Sequence, residues 1–367
     1  MAINLFVVDD SATARAGLKA LLSHCKQFKV IDVASNPLIA IKKMQLKRWP
    51  DVIISDLVMP EMDGVSFLQY LNQHRPTPFI VFSNHTSDNR LHSVDALIQG
   101  AIDVIAKPDF TDSNAIKTTQ NQLTEAILGS TTQARSNALF HAFRTRKASR
   151  QQPSELKPAK QLKPVEVVAI GSSTGGTTLI EKLLSHASPL CPPILVVQHM
   201  PADFTETFAK RINQYCQIHV KEAEDNEVIQ QGTAYIAKGG LHMIIKRTVH
   251  GDKINLIKSV NEDRHAPSVD KLMLSIADIY YQRAIGIVLT GMGKDGAQGL
   301  LSMRNHGAMT IAQHKNDCAV YGMPKAAVEV GAATFQYTTK SIIELISSIQ
   351  FKACNLPPKK ADATPDQ

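Results

Sequence analysis

The stretch Val167–Gly176, with the sequence VVAIGSSTGG, gives the first indication of how this chain folds. A short apolar run bounded by a turn is typical of a buried strand in a parallel sheet. Residues Gly171–Gly175 also satisfy the pattern G-x-S-x-G, in which a tight turn between a strand and a helix exposes the central serine. The stretch therefore predicts a strand, a turn and a helix, with Ser173 exposed at the turn.

The same turn has a competing interpretation, because phosphate-binding and dinucleotide-binding loops also join a strand to a helix. The chain has neither G-x-G-x-x-G nor G-K-[ST] at this point. The next predicted strand, Ile194–Val197, ends in Gln198-His199 instead of the acidic residue that usually binds a ribose. These departures favour a nucleophilic serine, and titration with NAD(P) would test the nucleotide-binding alternative.

His199 is the predicted general base for Ser173. It follows the neighbouring strand, and chemistry in open parallel sheets gathers at the carboxyl ends of the strands, so both residues should lie at one sheet edge. A lone histidine before a turn is more often structural. The exposed Ser173 at the adjacent strand end favours a catalytic role for His199 over a structural one. His242 and His265 are rival histidines, which we interpret as structural or substrate-facing.

A third element, Thr290–Gly296 with the sequence TGMGKDG, follows the predicted strand Ala284–Leu289. Asp295 could be an ordinary helix N-cap. Its catalytic interpretation is the carboxylate that orients the His199 imidazole. Met292 lies between glycines that let the chain approach a substrate, so its backbone N–H is a candidate oxyanion donor. The order Ser, His, Asp differs from that of α/β-hydrolases, which argues against that fold but not against that chemistry.

Strand–helix alternation continues around these motifs from residue 165 to about 350. It is typical of a parallel sheet covered by helices on both faces. The predicted strands are Val167–Ile170, Ile194–Val197, Thr233–Ile236, His242–Lys246 and Ala284–Leu289, and a helix at Lys340–Ser348 closes the segment. We expect residues 165–350 to form a doubly wound, Rossmann-like α/β domain.

Residues 1–125 alternate in the same way, so the 367 residues should form two α/β domains with doubly wound parallel sheets. The predicted strands are Leu5–Val8, Val30–Ala34, Val52–Ser55, Phe79–Phe82 and Asp103–Ile105. The predicted helices are Ala12–His24, Pro37–Lys47, Gly64–Gln73, Asp88–Gln99 and Asn114–Leu128.

Polar residues follow four of the N-terminal strands, namely Asp9 and Asp10, Asp56, Ser83 and Lys107. Carboxylates that converge at one sheet edge repel each other unless a divalent cation lies between them, and Mg²⁺ prefers oxygen ligands. A carboxylate beside Mg²⁺ can attack a phosphoryl group while a hydroxyl and a lysine hold the transferred oxygens. The set predicts a metal-dependent phosphorylation site.

Composition argues against several other classes of protein. No apolar run approaches the roughly 20 residues that span a membrane, and the N-terminus lacks the features of a signal peptide. The five cysteines are scattered and form no CxxC pair, which suits a reducing compartment. We therefore expect a cytoplasmic protein without membrane insertion.

The net charge of +7 is accompanied by a basic, polar segment at residues 126–164. Because no nucleic-acid-binding motif surrounds this segment, we interpret it as a solvated linker and expect no nucleic-acid partner. Residues 351–367 are rich in proline and poor in apolar residues, which predicts a disordered tail.

Residues 1–125 resemble a response-regulator receiver domain, and the polar residues at the strand ends carry the resemblance. It implies that Asp56 accepts the phosphoryl group, that Asp9, Asp10 and Asp56 bind Mg²⁺, and that Ser83 and Lys107 contact the phosphate.

The receiver resemblance has two further consequences. It implies a cis peptide bond before Pro108, which X–Pro bonds adopt at modest cost. Val104 stands where many receivers have a switch aromatic, so we do not expect an aromatic flip to transmit the signal.

Residues 165–350 resemble the catalytic domain of the chemotaxis protein-glutamate methylesterase (CheB) family. The motifs that carry this resemblance are Ile170–Gly176 (IGSSTGG), Gln198–Pro201 (QHMP), Pro267–Asp270 (PSVD), Leu289–Gly296 (LTGMGKDG) and Tyr321–Pro324 (YGMP). The resemblance implies that Ser173 is the nucleophile, His199 the general base, Asp295 its orienting acid and Met292 an oxyanion donor.

Together the resemblances imply a phosphorylation-activated serine hydrolase that demethylates glutamate esters and deamidates glutamines on chemoreceptors during chemotaxis adaptation. The implied partners are methyl-accepting chemoreceptors as substrates and a chemotaxis histidine kinase as phosphodonor. Mg²⁺ would serve receiver phosphorylation, and hydrolysis would need no cofactor. The alternative is a non-catalytic response regulator whose second half only binds a partner. Since an irregular linker cannot transmit a rigid push, we expect the unphosphorylated receiver to pack over the catalytic face.

Overall fold

Two parallel sheets wrapped by helices organise the chain, which confirms the predicted fold class. The computed structural model describes residues 2–84, 87–144, 164–260 and 265–351. The N-terminal sheet has five strands in the order β2-β1-β3-β4-β5. These are β1 (Ile3–Val8), β2 (Phe28–Ala34), β3 (Val52–Ser55), β4 (Phe79–Ser83) and β5 (Asp103–Ala106), with helices α1 (Ala12–Ser23), α2 (Pro37–Leu46), α3 (Gly64–His74), α4 (Ser87–Ile98) and α5 (Ser113–Arg144).

Local signals explain where these helices begin. Ser11, Asn36 and Asp63 precede α1, α2 and α3, and each side chain accepts a hydrogen bond from a backbone N–H of the first turn. Such caps satisfy amide groups that have no partner inside the helix. Every residue of β1 is buried, because helices cover both faces of this central strand.

The C-terminal sheet has seven strands in the order β14-β13-β12-β6-β7-β9-β8, and all of its pairs are parallel. Its strands are β6 (Val167–Ser172), β7 (Ile194–Gln198), β8 (His219–Glu222), β9 (Thr233–Ile236), β12 (Ala284–Val288), β13 (Met309–Gln313) and β14 (Phe335–Tyr337). Its helices are α6 (Thr177–Ser185), α7 (Thr205–Asn213), α8 (Val269–Tyr280), α9 (Ala297–Asn305), α10 (Met323–Glu329) and α11 (Thr339–Ser348). The chain leaves β6 toward β7 and later returns to β12 on its other side, which creates a crevice at the carboxyl ends of these strands.

The predicted strand His242–Lys246 exists, but its place in the parallel sheet was wrong. It belongs to β10 (Leu241–Thr248), which pairs with β11 (Gly251–Lys258) in a separate antiparallel hairpin. Gly251 has a positive φ of 115°, a conformation that suits glycine and permits the tight connection. The hairpin packs on α8, where the Ile245 N–H donates to Ser275 Oγ at 3.0 Å.

Helix α5 is longer than predicted and runs into the segment that we expected to be a linker. Residues 126–144 are helical, and Ala126, Ile127, Ser130 and Thr131 are buried. Their burial stabilises helix in a sequence whose polarity alone predicts a loop. The described residues do not include 145–163, which belong to the predicted linker. They also do not include 352–367, which are nearly all of the predicted tail. No helix in the described part of the chain is both long and apolar enough to cross a membrane.

The two domains pack directly against each other through α4 and β5. One cluster of buried apolar residues includes Leu97 of α4 together with Ile180 of α6 and Phe208 of α7. Polar contacts accompany it, since the hydroxyls of Thr177 and Thr178 both donate to the Leu97 carbonyl, at 3.3 and 3.0 Å. The receiver-like domain is therefore packed against helices that support the Ser173 turn.

Candidate active site and phosphorylation site

Ser173 lies in the turn between β6 and α6, as its sequence motif predicts. It is half-buried, and its backbone N–H donates to the Thr290 carbonyl at 3.1 Å. A Cβ atom at Gly291 would lie 2.7 Å from the Ser173 Cβ, so only glycine lets the loop after β12 pack this closely against the serine. The serine turn and the TGMGKDG loop therefore form one unit.

His199 follows β7 and contacts the predicted acid directly. Its Nε2 lies 2.8 Å from Asp295 Oδ2, and both side chains are about nine-tenths buried. Its backbone N–H donates to the Ser172 carbonyl at 3.0 Å, which ties it to the serine turn. The other ring nitrogen, Nδ1, is buried and has no hydrogen-bond partner among the described residues.

The Asp295 carboxylate is held by the beginning of helix α8. It accepts hydrogen bonds from the Ser268 hydroxyl at 2.9 Å and from the backbone N–H groups of Val269 and Asp270 at 2.8 and 2.9 Å. Burial alone would raise the pKa of Asp295, but the bond from His199 and these amides hold it well below its usual range. An ionised Asp295 requires the proton of His199 on Nε2, which leaves Nδ1 as the basic nitrogen.

Two backbone amides face no internal acceptor near the serine. The N–H groups of Met292, the predicted oxyanion donor, and of Thr174 donate to no acceptor within the part of the chain that the structure describes. Thr174 directly follows Ser173, the position whose amide commonly binds an oxyanion in G-x-S-x-G hydrolases. The sequence motif contained this signal, but our sequence analysis did not use it.

The rival histidines have different surroundings. The exposed His265 ring stacks on the His199 ring, with centroids 4.4 Å apart and planes 11° from parallel. His242 is fully buried in β10, and its backbone pairs with Ile257 of the hairpin. His265 therefore belongs to the site, whereas His242 is part of the hairpin core.

A cleft of about 800 Å³ lies between the site and helix α5. One wall belongs to α5 and the other to the loops around Asp295. The lining residues are Thr118, Asn121, Gln122 and Glu125 on one side and His265, Ser268, Asp270, Met292, Gly293, Lys294 and Asp295 on the other. Below the cleft, a Cβ at Gly129 of α5 would lie 3.0 Å from Val320 and 3.4 Å from Met292, so α5 directly contacts the catalytic half.

The predicted phosphorylation site is assembled at the carboxyl ends of β1 and β3. Carboxylate oxygens of Asp9, Asp10 and Asp56 lie within 4.8 Å of one another. Asp9 and Asp56 are buried, and Asp10 is exposed. Lys107 Nζ bonds Asp56 and lies 2.7 Å from Asp9. Oxygen donors in this arrangement fit Mg²⁺.

Burial and charge act against each other in this acidic cluster. Burial raises the pKa of Asp9 above its usual value, although Lys107 acts in the opposite direction. Burial would lower the pKa of Lys107, but its bonds to Asp56 and Asp9 raise it, so the lysine stays charged.

Ser83 and Pro108 complete the comparison with the receiver expectations. The Ser83 hydroxyl is buried at the end of β4 and has no hydrogen-bond partner among the described residues, as suits a group that meets an incoming phosphate. The expectation of a cis peptide before Pro108 was wrong, because the cis bond within the described ranges joins Ala266 and Pro267. The trans isomer is the intrinsically favoured one for X–Pro bonds.

Comparisons with known proteins identify the families that the two domains match. Residues 168–346 match the CheB methylesterase family, and residues 5–119 match the response regulator receiver domain. The chain is 39% identical over 347 residues to protein-glutamate methylesterase/protein-glutamine glutaminase 2 of Chromobacterium violaceum, covering 91% of this chain and 96% of the relative. The protein-glutamate methylesterase/protein-glutamine glutaminase of Sulfurimonas denitrificans is 39% identical over 357 residues, or 97% and 99% of the two chains. The solved catalytic domain of Thermotoga maritima CheB methylesterase is 37% identical and covers 50% of this chain and 100% of its own, with a TM-score of 0.47.

If Ser173 is the nucleophile, Ser173→Ala should lower the hydrolysis of a chromogenic ester by several orders of magnitude, as loss of a triad member does elsewhere. Ser172→Ala is the matched control, because it removes a buried hydroxyl that donates to the Thr290 carbonyl at 3.3 Å. The control should keep most of the activity. Near-normal turnover by Ser173→Ala would assign the reaction to another group.

If Asp56 accepts a phosphoryl group, incubation with acetyl phosphate and Mg²⁺ should give an acid-stable, base-labile aspartyl phosphate. The label should be absent from Asp56→Asn and from samples with EDTA. Asp63→Asn is a suitable control, since Asp63 only caps α3. Mass spectrometry of the intact protein measures the adduct, and label that persists in Asp56→Asn would show that the assignment is wrong.

Proposed function

Because this chain belongs to the CheB methylesterase family and carries a receiver domain, we propose that it is a phosphorylation-activated serine hydrolase of chemotaxis. It demethylates protein glutamate methyl esters and deamidates protein glutamines on chemoreceptors. The observation that carries the chemistry is the buried pair of His199 Nε2 and Asp295 at 2.8 Å, with Nδ1 buried and without a hydrogen-bond partner among the described residues.

The hydrolytic course follows from the tautomer that Asp295 imposes. His199 Nδ1 accepts the Ser173 proton while Ser173 Oγ attacks the glutamyl carbonyl carbon. The amides of Met292 and Thr174 donate to the oxyanion. When the tetrahedral intermediate collapses, His199 returns the proton to the leaving group, which departs as methanol from an ester or as ammonia from an amide. His199 then deprotonates a water that hydrolyses the acyl-serine and restores the enzyme.

The receiver supplies the regulation. Asp9, Asp10 and Asp56 would hold Mg²⁺, which neutralises phosphoryl oxygens when bound. We take Asp56, which bonds Lys107, as the phosphoacceptor and expect Lys107 and the buried Ser83 hydroxyl to contact the transferred oxygens. A chemotaxis histidine kinase is the proposed phosphodonor and the cytoplasm the proposed compartment, because receptor and kinase would meet the enzyme there.

The domain interface suggests how phosphorylation reaches the active site. Helix α5 forms one wall of the cleft and the loops around Asp295 form the other, so a receptor helix would have to approach the site past α5. We take this closed arrangement to be the resting state. Phosphorylation would favour a state in which α5 has left Val320 and Met292.

Strand β5 offers the physical route between the two sites. Lys107 follows its carboxyl end and bonds Asp56. At its other end Asp103 accepts a hydrogen bond from the Thr174 hydroxyl at 3.0 Å, and the Ile102 carbonyl accepts one from the Gly175 N–H at 3.0 Å. A movement of β5 caused by the new phosphate would therefore pull directly on residues next to the nucleophile.

The function is tested by incubating the full-length protein with methyl-labelled chemoreceptor and counting the methanol released. Acetyl phosphate with Mg²⁺ should increase the rate in the wild-type protein but not in Asp56→Asn. Absence of methanol release, with an active receptor methyltransferase reaction as the control for labelling, would remove the methylesterase assignment.

A bulky residue at Gly129 should open the interface without phosphorylation. Gly129→Leu would push α5 away from Val320 and Met292. Such interdomain couplings are worth about 1–3 kcal/mol, so the resting activity on receptor should rise about 5- to 150-fold. Leu46→Ala, which changes an exposed residue, is the control. A folded Gly129→Leu protein with unchanged resting activity would exclude gating by α5.

The Asp103 carboxyl should make the closed interface sensitive to pH. Burial raises the pKa of Asp103 to about 6, although the Thr174 hydroxyl, the Val104 amide and the charge of His199 lower it and Glu125 raises it further. Because the pKa is raised in the closed state, protonated Asp103 stabilises that state. This stabilisation is complete below the ordinary value of about 3.9 and is lost as the pH rises through about 6.

Asp103→Asn, which stays neutral, should therefore lower the resting activity several-fold near neutral pH. The ratio of resting to phosphorylated activity should fall from about pH 7.5 to about pH 5.5 in the wild-type protein and change little in the variant. The ratio cancels any pH dependence that the resting and phosphorylated proteins share. An equal pH dependence in the two proteins would show that Asp103 has no such role.

A further inference from the structure

Gln198 is a buried polar residue that contacts the turns of the nucleophile and the base, and the QHMP motif in which it lies gives it no role. It is the last residue of β7, is 2% exposed and pairs with Ser172 in the sheet. Its Nε2 donates to the backbone carbonyl of Ser173 at 2.9 Å and to that of His199 at 3.0 Å. One carboxamide therefore joins the main chain of both residues.

The chemistry of these contacts requires a donor. Both neighbours are carbonyl oxygens, which only accept, so the NH₂ group of the amide must face them. A carboxylate of the same shape would repel both carbonyls, and a thioether or alkyl group would leave two buried acceptors without a partner. Glutamine supplies two N–H donors on one atom.

The position of Gln198 matters because Ser173 and His199 lie beyond the regular ladder of β6 and β7. Within the described residues, their turns are joined by a main-chain hydrogen bond from the His199 N–H to the Ser172 carbonyl at 3.0 Å. The two bonds of Gln198 act one residue further out, on the nucleophile and the base themselves.

Gly176 makes room for this arrangement. A Cβ at Gly176 would lie 2.9 Å from Gln198 Oε1 and 1.6 Å from Ser172 Oγ. The second glycine of the turn is therefore required by the side chains packed beneath it. The turn can therefore pack this closely on the side chains of Ser172 and Gln198 only with glycine at position 176.

We propose that Gln198 is a positioning residue for hydrolysis, which fixes the spacing of Ser173 and His199 through their backbone carbonyls. The proposal rests on the proposed function, in that Ser173 is taken as nucleophile and His199 as base. Gln198 touches neither the substrate nor the reacting atoms. Its loss should weaken the transfer of the Ser173 proton without altering the cleft that binds the substrate.

The experiment compares full-length Gln198→Glu and Gln198→Met with the wild-type protein, all after treatment with acetyl phosphate. The amount of reactive serine is titrated with a fluorophosphonate, so that kcat is expressed per reactive serine. Since a misplacement of about 1 Å can cost about 100-fold, we expect kcat to fall about 10- to 100-fold. The KM for a small ester should stay within about twofold of the wild-type value, because the contacts that bind the ester equally in the ground state and the transition state are kept.

The initial rate of fluorophosphonate labelling should fall together with kcat, which a loss of stability alone would not cause. Thr310→Val is the matched control. Thr310 is buried in the same sheet and donates to the Ala332 carbonyl at 2.7 Å, away from the serine turn. This control should lower the thermal midpoint but keep kcat per reactive serine.

Gln198→Asn provides a second variant if either substitution prevents folding. It keeps the amide but shortens the side chain, so it should also lose labelling rate and kcat. A folded Gln198→Glu, Gln198→Met or Gln198→Asn protein with wild-type labelling rate and kcat would overturn the proposal. Failure of the proposed function gives a different result. If Ser173 is not the nucleophile, the Ser173→Ala protein should remain active.

Discussion

The carboxylate of Asp295 is the group on which the arrangement of the catalytic half depends. Removing a charge from water is costly, and this one is compensated by the first amides of α8, by Ser268 and by His199. The same contacts fix the direction of α8, the loop after β12 and the tautomer of the histidine. Asp295 thus caps a helix and is at the same time the proposed orienting acid of His199, although it caps α8 and not the helix that follows it in sequence.

This double role shows what could be predicted from sequence. The strand ends that carry Asp9, Asp56, Ser173 and His199 were correctly placed at two sheet edges, because short apolar runs followed by polar residues are local signals. That Asp295 bonds His199 was also predicted. The hydrogen bonds from two backbone amides of α8 to Asp295 were not predicted. The helix begins 26 residues earlier in the chain, and no local pattern connects it to Asp295.

The parts that sequence analysis missed have their causes far away in the chain. Helix α5 continues beyond its predicted end because Gly129 packs against the catalytic half and Ser130 and Thr131 are buried, whereas composition alone predicts a loop there. Strand β10 begins with a short apolar run like those of the parallel sheet, but it pairs with β11 and packs on α8 in a separate hairpin, which local sequence does not reveal. Gln198 was named in the QHMP motif and as a departure from a nucleotide-binding site, and no role was predicted for its side chain.

The position of the domain interface follows from the same constraint on buried polar groups. The Thr174 hydroxyl and the Gly175 N–H need acceptors when the receiver covers them, and Asp103 and Ile102 provide these. The receiver therefore bonds the Thr174 side chain and the Gly175 N–H, immediately next to the Thr174 amide that would bind an oxyanion. Gln198 bonds the Ser173 carbonyl, and residues at the start of β5 bond the Thr174 hydroxyl and the Gly175 N–H, so the two sets of contacts meet at consecutive residues of one turn. The proposed regulation and the proposed catalysis therefore share this short segment, and the receiver could influence the site without any of its residues entering the chemistry.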